Sequence, residues 1–263
     1  MVEKSVGGAR ASQWFRSIRG SRNPRLRLVC FPHAGGAASS FRSWAHHVPD
    51  DVELLAVRYP GREDRLFEPA AERMEELAEP LADACATLTG SPLALFGHSM
   101  GASVAFEVTV RLARTPGAAG AEALFVSGRA GPGRNRHRDL ADATDEKLVE
   151  DLIAMSGATA EALANEELRE LFLPAVRADY RLIERYAASV PTPTLDLPVY
   201  AYYGDQDDEI DEDSVNAWSA VTRSTFVARS FPGGHFYLDD RTAPLVADVL
   251  ARLGVKAATP ATA

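Results

Sequence analysis

The chain has 263 residues, 46% of them hydrophobic and 25% charged, and its formal net charge is −9. This length and composition suffice for one α/β domain with its own core. The acidic balance would repel a phosphate backbone, which argues against nucleic-acid binding as the main role. No apolar run reaches the roughly 18 residues that a membrane span requires, so no membrane association is predicted.

The two ends of the chain are predicted to lie outside the folded domain. Residues 1–24 are rich in small, polar and basic side chains and predict a loose tail, and residues 256–263 predict a frayed one. Residues 25–255 are then a single domain. The N-terminus lacks a signal-peptide pattern, and Cys30 and Cys85 show no metal-binding or redox spacing, so we expect a cytoplasmic protein.

Short apolar runs alternate with helical patterns along this domain. Six such runs predict strands, at 26–31, 53–60, 92–96, 122–128, 198–204 and 225–231. Helical periodicity predicts helices at 71–88, 105–114 and 245–253. This alternation predicts an α/β fold, with a mostly parallel central sheet covered by helices on both faces.

Residues from about 130 to 190 interrupt the alternation, because only helical patterns occur there. Thr144 is predicted to cap a helix over 145–155. A second amphipathic run covers 166–186, and Pro174 within it predicts a kink or a new helix start. An all-helical insertion between two strands of a parallel sheet predicts a lid.

The pentapeptide GHSMG, residues 97–101, places Ser99 between a predicted strand and a predicted helix. In that context a G-x-S-x-G motif forms a sharp turn that lifts the serine hydroxyl above the sheet edge. The N-terminus of the following helix adds positive potential beside the hydroxyl. The motif by itself is a weak signal, since an ordinary glycine-rich turn can contain the same residues.

A serine hydroxyl becomes a good nucleophile when a histidine, itself oriented by a carboxylate, removes its proton. On this fold the chain order is serine, acid, histidine. Of six histidines, His235 alone follows the last strand suited to carry the acid. Asp207 is the preferred acid because it ends a G-x-x-D turn after a predicted strand; Asp205 comes second, and Asp208 and Glu209 are further candidates.

Such a reaction also needs donors for the oxyanion of the tetrahedral intermediate. The backbone N–H of Met100, directly after the candidate nucleophile, is one predicted donor. The second is expected in the turn after an early strand, where FPHAGG (31–36) provides glycines, and the N–H of Ala34 is the preferred candidate. His33 in the same turn is assigned a structural role.

Seven short segments follow one another between residues 26 and 252: FPHAGG, RYPGRE, FGHSMGA, SGRA, RADYRLIERY, YGDQD and FPGGHFYL. Together they resemble the type II thioesterases, the stand-alone editing hydrolases that serve polyketide and nonribosomal peptide synthases. Carried over by position, the resemblance makes Ser99 the nucleophile, Asp207 the acid and His235 the base, with Met100 and Ala34 as oxyanion donors.

This resemblance also implies an α/β-hydrolase fold with a helical lid over the substrate chamber. The implied substrate is an acyl thioester on the phosphopantetheine arm of an acyl or peptidyl carrier protein. No metal or organic cofactor is implied, and we expect a monomer.

Two groups of arginines are of interest in this acidic chain. Arg134 and Arg136, just before the predicted lid helices, are candidates for docking an acidic carrier protein, although a solvated loop explains them equally well. The second group, Arg58, Arg62 and Arg65, is interpreted as partly structural.

Three alternative functions stay open at this stage. A carboxylesterase or lipase-like enzyme would use the same triad. An acyltransferase would form the same acyl-enzyme and pass it to an alcohol or amine. A non-catalytic binding module would keep the fold without the reaction.

Overall fold

A seven-stranded sheet forms the centre of the computed structural model, which describes residues 13–134, 138–155, 165–188 and 191–258. The strands are β1 (Phe15–Arg19), β2 (Leu26–Phe31), β3 (Val52–Val57), β4 (Leu93–His98), β5 (Ala123–Ser127), β6 (Val199–Gly204) and β7 (Phe226–Phe231). Their order across the sheet is β1-β3-β2-β4-β5-β6-β7. Neighbouring strands run parallel except β1 and β3, which are antiparallel.

The described α-helices are α1 (Met74–Ala86), α2 (Met100–Arg114), α3 (Asp145–Met155), α4 (Glu166–Arg185), α5 (Glu212–Asn216), α6 (Tyr237–Asp240) and α7 (Thr242–Arg252). Short 3-10 helices occur at Ala38–His46, Glu63–Arg65 and Ala217–Val221. Within the described ranges, no helix combines the length and the apolar character that crossing a membrane requires.

Both faces of the sheet are covered. Side chains alternate between the two faces along each strand, so each strand contributes residues to both cores. In β2, Val29 and Phe31 belong to a core that includes residues of α1 and α2. Leu28 and Cys30 belong to the opposite core, which the 3-10 helix Ala38–His46 and helix α7 complete. The predicted α/β fold, with a mostly parallel sheet and helices on both faces, is confirmed.

The prediction of a loose tail over residues 1–24 is wrong for part of that range. Residues 15–19 form edge strand β1, which pairs antiparallel with β3 from Phe15, opposite Val57, to Arg19, opposite Leu54. Phe15 is buried and Arg16 pairs with Glu63 at 3.1 Å. Phe15 belongs to the core on one face of the sheet and Ile18 packs against the core on the other, and these contacts hold the segment together with its pairing to β3. Residues 1–12 lie outside the described part of the chain.

At the other end, residues 256–258 carry no regular secondary structure, and the remainder of the predicted C-terminal tail lies outside the described residues.

Helices α3 and α4 lie between β5 and β6, and the described residues of this insertion contain no strand. Thr144 caps α3 as predicted, since its Oγ1 accepts from Lys147 N at 3.3 Å. The prediction of a new helix start at Pro174 is wrong, because α4 runs unbroken through it. Buried residues after the proline, such as Val176, hold that half of the helix against the core, which compensates for a lost backbone hydrogen bond.

We predict that removing β1 destabilises the domain. Deletion of residues 1–20 removes the buried Phe15 ring and the strand pairing with β3, and loss of one buried aromatic side chain costs about 3 kcal/mol or more. The measurement is the free energy of unfolding in urea. The matched control deletes residues 1–12 alone and leaves β1 whole; equal loss in both deletions would contradict the assignment of stability to the strand.

Candidate active site

Ser99 occupies a sharp turn between the end of β4 and the start of α2. Its backbone has φ 53° and ψ −120°, a conformation that non-glycine residues rarely adopt because the side chain crowds the backbone. The Ser99 N–H donates to Ser127 O at 2.8 Å, which anchors the turn to the end of β5. This is the geometry of the nucleophile elbow in which a serine stands above a sheet edge.

The two glycines of GHSMG are required by the close contact of backbone segments around the elbow. A Cβ atom on Gly97 would lie 2.1 Å from the carbonyl oxygen of Gly101, and one on Gly101 would lie 2.1 Å from the carbonyl oxygen of Phe31. Real Cβ atoms do not approach so closely, so neither position accepts a side chain without movement of the backbone. The motif thereby seats the start of α2 against the end of β2.

His235 and Asp207 are joined by a short hydrogen bond. The His235 Nδ1–H donates to Asp207 Oδ2 at 2.7 Å, and both residues are buried. The other carboxylate oxygen of Asp207 accepts from Glu209 N at 3.0 Å. The carboxylate therefore fixes the orientation of the imidazole and selects the tautomer in which Nε2 is the basic nitrogen.

Asp205, the second candidate acid, has a different role in this structure. Its Oδ1 accepts from Gly233 N at 3.0 Å and so ties together the two loops that carry the pair, at an exposed position. Gly204 lets these loops approach, since a Cβ there would lie 2.2 Å from the carbonyl oxygen of Gly234. Of these two aspartates, Asp207 is the one hydrogen-bonded to His235.

The His235 ring lies beside the elbow. Its centroid is 5.1 Å from that of His98, the residue before Ser99. Gly128, with φ 58°, passes between these rings, and a Cβ on it would lie 2.5 Å from His98 Cε1 and 3.4 Å from His235 Cε1. The structure thus pairs Asp207 with His235, from the loops after β6 and β7, and places the His235 ring beside the residue that precedes Ser99 at the end of β4.

The turn over 33–36 lies on the other side of the same elbow. The His33 ring is 6.0 Å from that of His98 and 4.7 Å from that of Phe236, centroid to centroid. Within the turn, Gly36 N donates to His33 O at 2.9 Å, and Gly35 N donates to the Asp179 carboxylate at 2.7 Å.

These two N–H groups are therefore occupied, and Ala34 stays the predicted donor of this turn. Met100, the second candidate donor, begins α2, and the first N–H groups of a helix have no partner within the helix.

Sequence analysis missed a polar network beneath the elbow. His98 Nδ1 is 2.9 Å from Ser127 Oγ, which is 2.7 Å from Tyr237 Oη, and all three residues are buried. Nothing in the sequence spacing joins them, because they come from β4, β5 and α6. The network holds the end of β4 and the loop after β7 in a fixed relation, on which the position of His235 depends.

Burial also controls the charge of two histidines near the site. Desolvation, with the neighbouring His235 and Arg62 charges, lowers the pKa of His33 to about 3. Desolvation holds the pKa of His98 well below its usual range. Both rings are therefore neutral at physiological pH, and the assignment of His33 to a structural role agrees with its neutrality.

The two candidate docking arginines differ in what the structure describes. Arg134 is exposed, and its backbone N–H closes a turn on Gly131 O at 3.0 Å. Arg136 lies outside the described residues. Arg138, close by in sequence, forms ion pairs with Asp151 and Glu209. Within the described ranges no group of three or more His, Cys, Asp or Glu side chains is arranged to hold a metal ion.

Comparison with known proteins identifies the family. The family model described as "Thioesterase domain" matches residues 26–253, most of the chain. The chain belongs to the thioesterase family. The resemblance found in its sequence motifs is thereby confirmed, and with it the enzyme class, a hydrolase of thioesters.

Relatives and solved structures resemble this thioesterase over nearly their whole length. Thioesterase PikA5 of Streptomyces venezuelae is 39% identical over 94% of this chain and 88% of its own. Gramicidin S biosynthesis protein GrsT of Aneurinibacillus migulanus is 32% identical over 88% of this chain and 90% of its own. The structure of BorB, a type II thioesterase from the borrelidin biosynthetic cluster, superposes with a TM-score of 0.82 at 35% identity, covering 93% of this chain and 98% of BorB.

We predict that Asp207→Asn severely slows this thioesterase. The amide keeps the shape of the side chain but favours the wrong tautomer of His235, a change that lowers kcat by about 10⁴-fold in a serine-histidine-aspartate triad. The measurement is steady-state hydrolysis of a simple acyl thioester. Asp205→Asn is the matched control and should retain near wild-type kcat; the reverse order of the two variants would make Asp205 the acid.

A second prediction concerns stability at low pH. The unfolded chain binds protons on its histidines below about pH 6.5, whereas folded His33 and His98 stay neutral. Stability is therefore fully present above that pH and falls as the pH is lowered, with a slope of about 1.4 kcal/mol per pH unit for each histidine.

Urea unfolding between about pH 7 and pH 5 measures this slope. His33→Gln should reduce the slope of the unfolding free energy against pH by the contribution of one histidine. The substitution His46→Gln, at an exposed position, should leave the slope unchanged. Identical slopes in wild type and His33→Gln would show that His33 is not a source of the acid sensitivity.

Proposed function

We propose that this thioesterase hydrolyses acyl groups from the phosphopantetheine arm of an acyl or peptidyl carrier protein, through an acyl-serine intermediate. The observation that carries the proposal is the 2.7 Å hydrogen bond between His235 and Asp207, beside the strained elbow that presents Ser99. This arrangement supplies a nucleophile, an oriented base and a turn with backbone donors within one family fold.

In the proposed first step, Ser99 Oγ attacks the thioester carbonyl while His235 Nε2 accepts the hydroxyl proton. Asp207 stabilises the resulting imidazolium. The carbonyl oxygen becomes an oxyanion that accepts hydrogen bonds from the N–H groups of Met100 and Ala34. In a serine protease that uses an oxyanion hole, the loss of one such donor costs about 3 to 4 kcal/mol of transition-state stabilisation.

Collapse of this intermediate breaks the carbon–sulfur bond. The pantetheine sulfur leaves with the proton from His235, and the acyl group remains on Ser99. A water molecule, deprotonated by His235, then attacks the acyl-serine and releases the carboxylic acid. Each step uses side chains of this chain and water, so the proposal assigns no role to a metal or an organic cofactor.

The proposed pathway rests on the names of the relatives, and the proposed carrier protein rests on the resemblance of the sequence motifs to the type II thioesterases. GrsT is named for gramicidin S biosynthesis, and BorB is described as a type II thioesterase from a biosynthetic cluster. By analogy, the partner we propose is a carrier protein of a polyketide or nonribosomal peptide synthase, and the role is removal of misprimed or stalled acyl chains. The proposal places the enzyme in the cytoplasm as a monomer, where its buried free Cys30 and Cys85 would stay reduced.

The helices α3 and α4 are proposed to form the lid over the acyl chain. They follow β5 at the edge of the sheet where Ser99 lies, and α4 contacts the turn over 33–36 through Asp179. Leu168 and Leu171, in the first turns of α4, are exposed although apolar, as expected of side chains that face an acyl chain or a carrier.

We predict that wild type releases a short acyl group from a carrier protein much faster than from the corresponding simple oxygen ester. Ser99→Ala should lose both activities, by a factor on the order of 10⁶ if the triad acts as a unit. Release of the free acid is measured by chromatography. A serine-directed fluorophosphonate probe separately reports whether Ser99 is labelled.

Each other outcome supports a different function. A faster reaction with the oxygen ester would make the protein a general esterase. Transfer of the acyl group to an added alcohol or amine in preference to water would make it an acyltransferase. If folded wild type neither reacts nor is labelled, the result supports the non-catalytic binding module.

A further inference from the structure

The insertion helix α4 carries the buried carboxylate of Asp179, which pairs with an arginine and also binds the backbone of a neighbouring turn. Asp179 is 2% exposed and Arg62, on the loop after β3, is 4% exposed. The guanidinium binds the carboxylate through both of its terminal nitrogens, Nη1 to Oδ2 at 2.7 Å and Nη2 to Oδ1 at 2.8 Å. Such a two-point pair fixes the relative position of the two side chains more strictly than a single contact does.

Both partners also bind the backbone of the turn that holds the candidate oxyanion donor. Asp179 Oδ2 accepts from Gly35 N at 2.7 Å, and Arg62 Nη1 donates to Gly36 O at 3.0 Å. The Ala34–Gly35 and Gly36–Ala37 peptide groups are thus held by one buried ion pair. Tyr59 adds a third contact to the same segment, since its hydroxyl donates to Pro32 O at 3.3 Å.

Packing places α4 directly against this turn. Gly35 has φ 75°, and a Cβ on it would lie 3.0 Å from Val176 Cγ2, one turn before Asp179 in the helix. On the Arg62 loop, a Cβ on Gly61 would lie 3.5 Å from Ala175 Cβ. The helix therefore meets both the oxyanion turn and the arginine loop without a gap that would let the turn move independently.

Other polar contacts attach α4 to its surroundings without touching the turn. Arg181 donates to Glu72 at 2.8 Å, and Arg177 binds the carbonyl oxygens of Ala141 and Ala143. These contacts already dock the helix. Burying a further ion pair gains little stability on average, because desolvation offsets the attraction. Asp179 and Arg62 differ from these contacts because they bind the backbone on either side of the Gly35–Gly36 peptide.

We propose that Asp179 and Arg62 are positioning residues that hold the Ala34 N–H in its place in the oxyanion hole, so that the hole is complete only when α4 is docked. The inference rests on the proposed function for the role of Ala34. It makes docking of the insertion and assembly of the oxyanion hole one event, because the same carboxylate takes part in both. An enzyme with α4 undocked would bind substrate but stabilise the tetrahedral intermediate poorly.

The test is Asp179→Asn in the full chain. The amide removes the negative charge and replaces one carboxylate oxygen with an NH2 donor, so in either orientation that donor faces a donor of Arg62 or Gly35 and the arrangement of three hydrogen bonds is broken. We expect kcat to fall about 10- to 100-fold, less than the 10²- to 10³-fold loss on removing a donor outright, with KM little changed. Affinity for a short alkyl trifluoromethyl ketone, which adds to Ser99 and places its oxygen in the hole, should fall by the same factor.

Arg181→Gln is the matched control, because it removes one contact of the same helix, which its remaining contacts keep docked, and leaves the turn untouched. It should lower the melting temperature while leaving kcat and ketone affinity near wild type. If Asp179→Asn does not fold, Arg62→Lys is the second variant, because it keeps the positive charge and removes the two-point contact. The same two measurements, kcat and ketone affinity, are made on it. Unchanged kcat and ketone affinity in a folded Asp179→Asn or Arg62→Lys would overturn the inference, as would equal losses in Arg181→Gln.

The assays use p-nitrophenyl acetate as well as an acyl-carrier substrate, so that failure of the inference and failure of the proposed function are distinguishable. A preference for the oxygen ester would overturn the carrier assignment, while the Asp179→Asn comparison stays valid on that ester. Full activity of Ser99→Ala would overturn both. A dead Ser99→Ala beside a wild-type Asp179→Asn would overturn the positioning role alone.

Discussion

The contact between the start of α2 and the end of β2 sets the geometry of the whole site. Gly101 lies so close to the carbonyl oxygen of Phe31 that no side chain fits between them. The elbow at Ser99 and the turn at 33–36 are the immediate continuations of these two segments, one before Gly101 and the other after Phe31. Their separation is therefore fixed by backbone packing and does not depend on flexible side chains.

Around this contact, polar groups are buried in pairs or networks that exclude alternative arrangements. Asp207 orients His235, and Ser127 with Tyr237 holds His98. Polar atoms removed from water cost free energy unless they are hydrogen-bonded, so each network favours one geometry strongly over its neighbours. A site built in this way is rigid before substrate arrives, which is the property that electrostatic stabilisation of an oxyanion requires.

The insertion adds a further contact to the site. Helix α4 belongs to the candidate lid, yet its Asp179 binds the turn next to the elbow. A lid that merely covered the acyl chain would need apolar contacts alone. The proposed positioning role links the candidate lid to the catalytic turn through the buried pair with Arg62.

Much of this was predictable from local patterns. The buried runs of β4 and β6, the helix after GHSMG and the Thr144 cap all appear near their predicted bounds, because local periodicity and capping chemistry act within a few residues. Strand β1 was not predicted because FRSIR does not alternate apolar and polar side chains, and its basic residues resemble those of a solvated tail. Pro174 predicted a new helix start that the structure does not have, because packing around the second half of α4 overrides the local cost of a proline.

The sequence by itself determined the chemistry that is available: a serine in a glycine-framed turn, an acid and a histidine later in the chain, and the motifs of the thioesterase family. Only the tertiary structure decided which groups meet. It selected Asp207 over Asp205 as the partner of His235, and it placed Asp179, 80 positions after Ser99, on the turn beside the elbow. Sequence motifs record which residues occur near one another along the chain. Contacts across the sheet edge depend instead on how strands and helices pack, and no spacing in the sequence encodes a 2.7 Å approach between residues from distant elements.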